Sequence, residues 1–153
     1  MKKFFLTFCV ICFSFSCSFA DDVQDVQCFF NKYIDAANNY SCDYFDYYCN
    51  NAKIIRVVEK PDGTQQSVDI PLERYKSEVK KSSKLARIRN YKNRYFNVKI
   101  HPYGNDYKIV AMRMPSTSDY KIPAYFIVGK DANGQWKIKE ESMNTRVQKF
   151  LKS

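Results

Sequence analysis

Between residues 94 and 143 four strand-like runs follow one another across short turns. The runs RYFNVKIH, YKIVAMRM, YKIPAYFIVGK and QWKIKEESM are separated by PYGND, PSTSD and DANG. In the first run Phe96, Val98 and Ile100 alternate with Tyr95, Asn97 and Lys99. That period of two marks a strand with one buried face. DANG is a hairpin loop ending in glycine. Short turns between such runs predict an antiparallel meander. This meander limits the fold more than any other feature of the sequence.

What precedes it is different. DVQDVQCFFNKYIDAANN, residues 22–39, places Val23, Val26, Phe30, Tyr33, Ile34 and Ala37 at spacings of three and four. That predicts an amphipathic helix. NNYS breaks it, and a second short helix is expected through about residue 50, with Ser41 or Asp43 as N-cap. KIIRVVEK and TQQSVDI read as strands around the turn PDG. DIPLERYKSEVKKSSKLARI reads as a third helix with Pro71 near its start and Asp69 available as a cap. Its apolar stripe of Leu72, Tyr75, Val79 and Ala86 is thin. TRVQKFL closes the chain as a short helix. Helices followed by an antiparallel run of strands predict an α+β domain.

The first 20 residues stand apart. MKKFFLTFCVICFSFSCSFA has two lysines, an apolar run and a small-residue end, the pattern of a secretory signal peptide. Residues 1–20 are therefore expected to be removed after Ala20, leaving one domain over 21–153 in the periplasm or outside the cell. Retention as an envelope anchor is the alternative. Of six cysteines, Cys28, Cys42 and Cys49 remain, in an oxidising setting. On a helix Cys42 and Cys49 would lie about 10 Å apart, beyond the roughly 7 Å that a disulfide spans. With two antiparallel helices Cys49 climbs toward Cys28. Cys28–Cys49 is then the pairing that can be built, although Cys28 points away from its helix's apolar stripe.

Charge is divided along the chain. Residues 21–70 hold nine acids and four bases, and residues 71–94 hold nine bases and two acids. Arg74, Lys80, Lys81, Lys84, Arg87 and Arg89 form the expected basic face, with Tyr75, Tyr91 and Tyr95 interleaved. A solvated helix face is the plain reading. An anionic envelope component or an acidic protein is the expected partner if the face binds. Nucleic acid, which such a surface could also bind, is not expected for an exported protein.

The order of elements resembles the NTF2-like superfamily, in which a curved sheet wraps helices into a cone around a cavity. YIDAANNYSCDYFDYYCNNAKI resembles that family's helix–break–helix–strand opening. GKDANGQWKIKEES is similar to its last strand. The resemblance implies a cone of three helices on a curved antiparallel sheet of about six strands, with a cystatin-like α+β domain as the alternative. It also implies a homodimer through the sheet. In isomerase-like members the base is a carboxylate on the first strand. The matching place here falls near Ile55 or Arg56, where there is none.

Other chemistry is sparsely represented. There is one histidine, His101, at a strand end, and no His or Cys pair at zinc-ligand spacing. PDG and DANG offer too few oxygens for calcium, and no glycine-rich phosphate loop can be written. No cofactor or metal is expected. If the cone holds a cavity, Phe30, Tyr33, Tyr48, Tyr75, Tyr125 and Trp136 are its candidate aromatics, with Arg56 and Arg113 reaching in. The sequence thus predicts a non-catalytic binding or assembly module for a small apolar ligand. A small isomerase- or dehydratase-like enzyme and an envelope secretion component are the alternatives.

Overall fold

The computed structural model describes the backbone over residues 15–152 and the side chains of residues 21–151. The expected signal peptide lies largely outside that range. The first helix, α1, spans Phe15–Asn38 and so runs through the expected cleavage point. No helix among the described residues is long and apolar enough to cross a membrane.

A 3-10 helix, Cys42–Tyr47, follows α1, and then come β1 (Tyr48–Glu59), β2 (Gln65–Ile70), α2 (Leu72–Ile88), β3 (Asn93–Tyr103), β4 (Asp106–Pro115), β5 (Ile122–Lys130) and β6 (Trp136–Thr145). A last 3-10 helix covers Gln148–Lys152. The six strands form one curved, unclosed sheet in the order β2-β1-β6-β5-β4-β3. The meander of β3 to β6 pairs antiparallel in sequence order. β1 and β6, however, pair parallel, which corrects the expected all-antiparallel sheet. That pairing sets Ile54 beside Glu141 and Arg56 beside Met143.

The core lies between α1 and the inner face of the sheet. Val26, Phe30 and Tyr33 repeat on one side of α1 and are buried against Ile54, Ile109, Phe126 and Ile138. Phe30 and Tyr33 both meet the ring of Phe126, at centroid distances of 5.0 and 5.5 Å. Burial of such a side chain is worth about 1.5–3 kcal/mol relative to exposure. The C-terminus of α1 is pinned to β3: Asn38 Nδ2 donates to the Asn93 carbonyl at 2.9 Å, and the Asn93 amide donates to Asn38 Oδ1 at 2.8 Å.

Three local expectations are corrected. The second helix is a single 3-10 stretch, capped by Ser41, which accepts from the Asp43 amide. Its expected last turn, residues 48–50, is instead the start of β1. Tyr48 is aromatic and pairs with Ile138, so sheet pairing overrides the helical spacing. Asp69 does not cap α2. Pro71 holds the cap position without a side-chain hydrogen bond, and Asp69 pairs with Lys53 from β2. Finally, Cys28, Cys42 and Cys49 are free thiols, so the Cys28–Cys49 bond is not formed. Cys49 belongs to a strand rather than a climbing helix, and Cys28 is on the exposed face of α1.

Candidate functional site

α2 has too thin an apolar stripe to pack flat on the sheet. Leu72 is its buried residue, and Leu85 and Ile88 are exposed. Tyr75, Val79 and Ala86 instead form one wall of an open cavity of about 1410 Å³. The other walls come from the C-terminal half of α1, the first 3-10 helix, the inner ends of β3 and β4, and the segment after β6. The cavity exceeds the roughly 300–1,000 Å³ of ordinary ligand pockets.

One end of the cavity is closed by a polar cluster. Glu141 of β6 faces inward and is fully buried, and Arg56 of β1 is 6% exposed. Arg56 Nη2 donates to Glu141 Oε1 at 2.7 Å, and its Nη1 donates to the Ile55 carbonyl at 2.9 Å. Glu141 Oε2 accepts from Tyr48 at 2.5 Å and from Tyr33 at 3.1 Å. Tyr44 Oη lies 2.9 Å from Tyr48 Oη, 3.2 Å from Tyr33 Oη and 2.8 Å from Tyr75 Oη.

Each phenol has one proton to give. Tyr33 and Tyr48 commit theirs to Glu141. The order that satisfies most contacts then has Tyr75 donating to Tyr44 and Tyr44 donating to Tyr48. The protons thus run from the cavity wall inward, and Glu141 is their sink. Burial, with the charge of Glu141 adding to it, raises Tyr33, Tyr44, Tyr48, Tyr75 and Tyr95 above the ordinary tyrosine pKa. Burial alone would make Arg56 easier to deprotonate, but the charge and hydrogen bond of Glu141, together with the phenols of Tyr75 and Tyr48, outweigh it and the guanidinium is held more firmly protonated. The Arg56 guanidinium also lies 5.2 Å from the centre of the Tyr75 ring.

The other end of the cavity is open and differently built. Arg113 projects from the inner face of β4, paired in register with Tyr95 and Ile122. Its Nη1 donates to Asn93 Oδ1 at 3.0 Å and to Tyr91 Oη at 3.4 Å. Its Nε is enclosed and has no hydrogen-bond partner.

The sequence candidates fall into three groups. Tyr33, Arg56, Tyr75 and Arg113 line the cavity together. Phe30 and Tyr48 are buried behind it. Tyr125 and Trp136 are elsewhere. Tyr125 is on the outer face of the sheet, where it donates to Glu140 at 2.7 Å, and burial plus that carboxylate push it up to about 12. Trp136 packs on Tyr107 near the β5–β6 turn, with Lys130 over its ring.

Of the basic face, Lys80 and Arg89 line the cavity. Lys81 and Lys84 are exposed. Arg74 pairs with Glu78 at 3.1 Å, and Arg87 lies over the Tyr40 ring. His101 is exposed on β3 and takes no part in the cavity wall.

The sequence reading missed Glu141. The signal was the pair of acids in KIKEES: two adjacent residues of a strand point to opposite faces, so one of them had to face inward. The role of Asn93 carried no signal of its own.

Comparison with solved structures agrees with this architecture. The protein is similar to an NTF2-like protein of unknown function from Pseudomonas putida, at 8% identity over 79% of this chain and 84% of that one, with a TM-score of 0.57. It is similar to an NTF2-like protein with a cystatin-like fold from Novosphingobium aromaticivorans, at 8% identity over 84% of each chain and a TM-score of 0.59. A protein of unknown function with a cystatin-like fold from Nostoc punctiforme matches at 10% identity over 82% of this chain and 91% of that one, with a TM-score of 0.53. No family model matches the sequence, and no curated protein sequence matches it. The chain has the NTF2-like, cystatin-like α+β fold.

Proposed function

We propose that this protein is an exported, non-catalytic binding module that encloses a small organic ligand in the cavity of its cone. The observation that carries this reading is the cavity itself: an open space of about 1410 Å³ walled by tyrosine rings and aliphatic groups, with polar groups at its two ends. Concave, largely apolar sites with a few fixed polar groups suit small ligands. The N-terminal sequence supports export.

The enzyme alternative needs an acid or base that substrate can reach. Glu141, the carboxylate of the inner sheet, is fully buried and does not line the cavity, and Asp119, the acid of the cavity wall among the described residues, is an exposed residue of the β4–β5 loop. Glu141 accepts from two phenols and is paired with Arg56. Both of its oxygens are thus already engaged by groups of this chain.

Phenylnaphthylamine, a neutral fluorophore that brightens in apolar surroundings, tests the reading. It is expected to bind the wild-type protein with saturable, one-site behaviour. Val79→Trp, which puts an indole into the cavity from α2, should weaken that binding while the far- and near-UV circular dichroism stay native. Saturable binding left unchanged by Val79→Trp, or no binding at all, would contradict the proposal.

A further inference from the structure

We infer, building on the reading of the cavity as a binding site, that its ligand is an organic acid whose anionic group docks on Arg113. The two arginines of the cavity show why. Arg56 has its carboxylate: Glu141 neutralises it at 2.7 Å. Arg113 has none. Among the described residues no carboxylate lies within ion-pair distance of it, its Nη1 meets only the neutral groups of Asn93 and Tyr91, and its enclosed Nε has no partner. A guanidinium offers five donors in a planar fork suited to a carboxylate, sulfonate or phosphate. Buried polar groups are ordinarily satisfied, so an enclosed cationic donor without a partner calls for an acceptor.

The rest of the wall agrees in charge. Arg56, Lys80, Arg89, Arg113, Arg146 and Lys149 are its cations, and Asp119 is its only acid among the described residues. Glu141 and Glu59 neutralise Arg56 and Arg146. The remaining four cations face one acid. A cleft lined by one sign of charge concentrates the opposite ion. Arg113 is also held in place. Asn93 accepts from it at 3.0 Å, and the Asn93 backbone is fixed by the Asn38 amide from α1. The tyrosine rings and aliphatic groups of the wall would take the ligand's apolar body.

The matched probes are anilinonaphthalenesulfonate and phenylnaphthylamine, which share a skeleton and differ in the sulfonate. The anion is expected to bind about tenfold more tightly or better, the scale of a hydrogen bond to a charged group. Arg113→Met should erase that preference and leave the neutral probe unchanged. Arg113→Lys should restore part of it. Lys80→Gln, on the exposed surface of α2, should weaken the anion by a smaller factor. The anion alone should lose affinity as salt rises, because screening acts on its charge.

Equal affinities for the two probes, unmoved by Arg113→Met and Lys80→Gln, would overturn the acid while leaving the cavity a binding site. If neither probe binds, the reading of the cavity fails, and the inference fails with it. Displacement of the bound sulfonate by phosphatidylglycerol vesicles, but not by free short-chain carboxylates, would assign the cations to a membrane surface and overturn the enclosed acid.

Discussion

The two ends of the cavity each hold an arginine on an inward-facing strand position, and they are built to opposite ends. At the closed end Arg56 meets a fully buried carboxylate and a chain of phenols whose protons all run toward it. At the open end Arg113 meets an amide and a phenol and keeps an enclosed Nε without a partner. The first is satisfied within the chain, so its chemistry is used up in holding the fold. The second is positioned by neutral neighbours and left with charge to offer. Two arginines of the same type and similar placement therefore differ in role because of what faces them.

The comparison is broken most forcefully at Glu141. Glu141→Gln leaves the Arg56 guanidinium buried without its counter-charge, and is expected to destabilise the fold by about 3–5 kcal/mol, read from the urea midpoint. Arg56→Met should cost a similar amount. The double variant Arg56→Met/Glu141→Met should recover much of the loss, because a buried pair replaced by apolar groups of similar size is often neutral. If the single variants were no less stable than wild type, the closed end would not be structural.

Alkali is the next lever. Tyr33, Tyr44, Tyr48, Tyr75 and Tyr95 have pKa values raised by folding. Their contribution is fully present below the ordinary tyrosine value of about 10 and is lost as pH rises above it. Absorbance at 295 nm should therefore show two classes of tyrosine, the second ionising only as the protein unfolds. A single class titrating near pH 10 with the fold intact would contradict the closed end.

Smaller effects follow the order of the protons. Tyr33→Phe removes a hydrogen bond to a charged oxygen and should cost about 1.5–3 kcal/mol. Tyr75→Phe removes a bond between neutral phenols at the cavity end and should cost only about 0.5–1.5 kcal/mol. Equal costs would mean that the protons are not ordered toward Glu141. Arg113→Met loses its hydrogen bond to Asn93 but also removes an enclosed donor without a partner, so it should cost no more than about 1 kcal/mol. A larger loss would make Arg113 structural as well.

Much of this was legible in the sequence, for physical reasons that differ by element. The meander of β3 to β6 was readable because alternation and short turns are local. The parallel β1–β6 pair was not, since partners such as Ile54 and Glu141 lie 87 residues apart and no local pattern encodes their register. Arg56 and Arg113 could be suspected of facing inward because each interrupts an apolar run. Tyr125 was misplaced because IPAYFIVG is apolar on both faces, so the sequence does not say which face is inner. YSCDYFDYYCNN failed as a helix at Tyr48, where spacings of three and four over so few residues cannot be told from a strand about to pair. The Cys28–Cys49 bond rested on that helix and fell with it. How the basic residues of 71–94 divide among different surroundings was hidden. Only the orientation of α2 decides that Lys80 and Arg89 border the cavity while Arg74 is occupied by Glu78.

The most direct test sets the two ends against each other in one assay, the affinity for anilinonaphthalenesulfonate of two folded variants. Arg56→Met/Glu141→Met is expected to keep wild-type affinity within about twofold, while Arg113→Met should lose about tenfold or more. The reverse order, with binding lost at the closed end and retained without Arg113, would contradict the roles assigned to the two arginines.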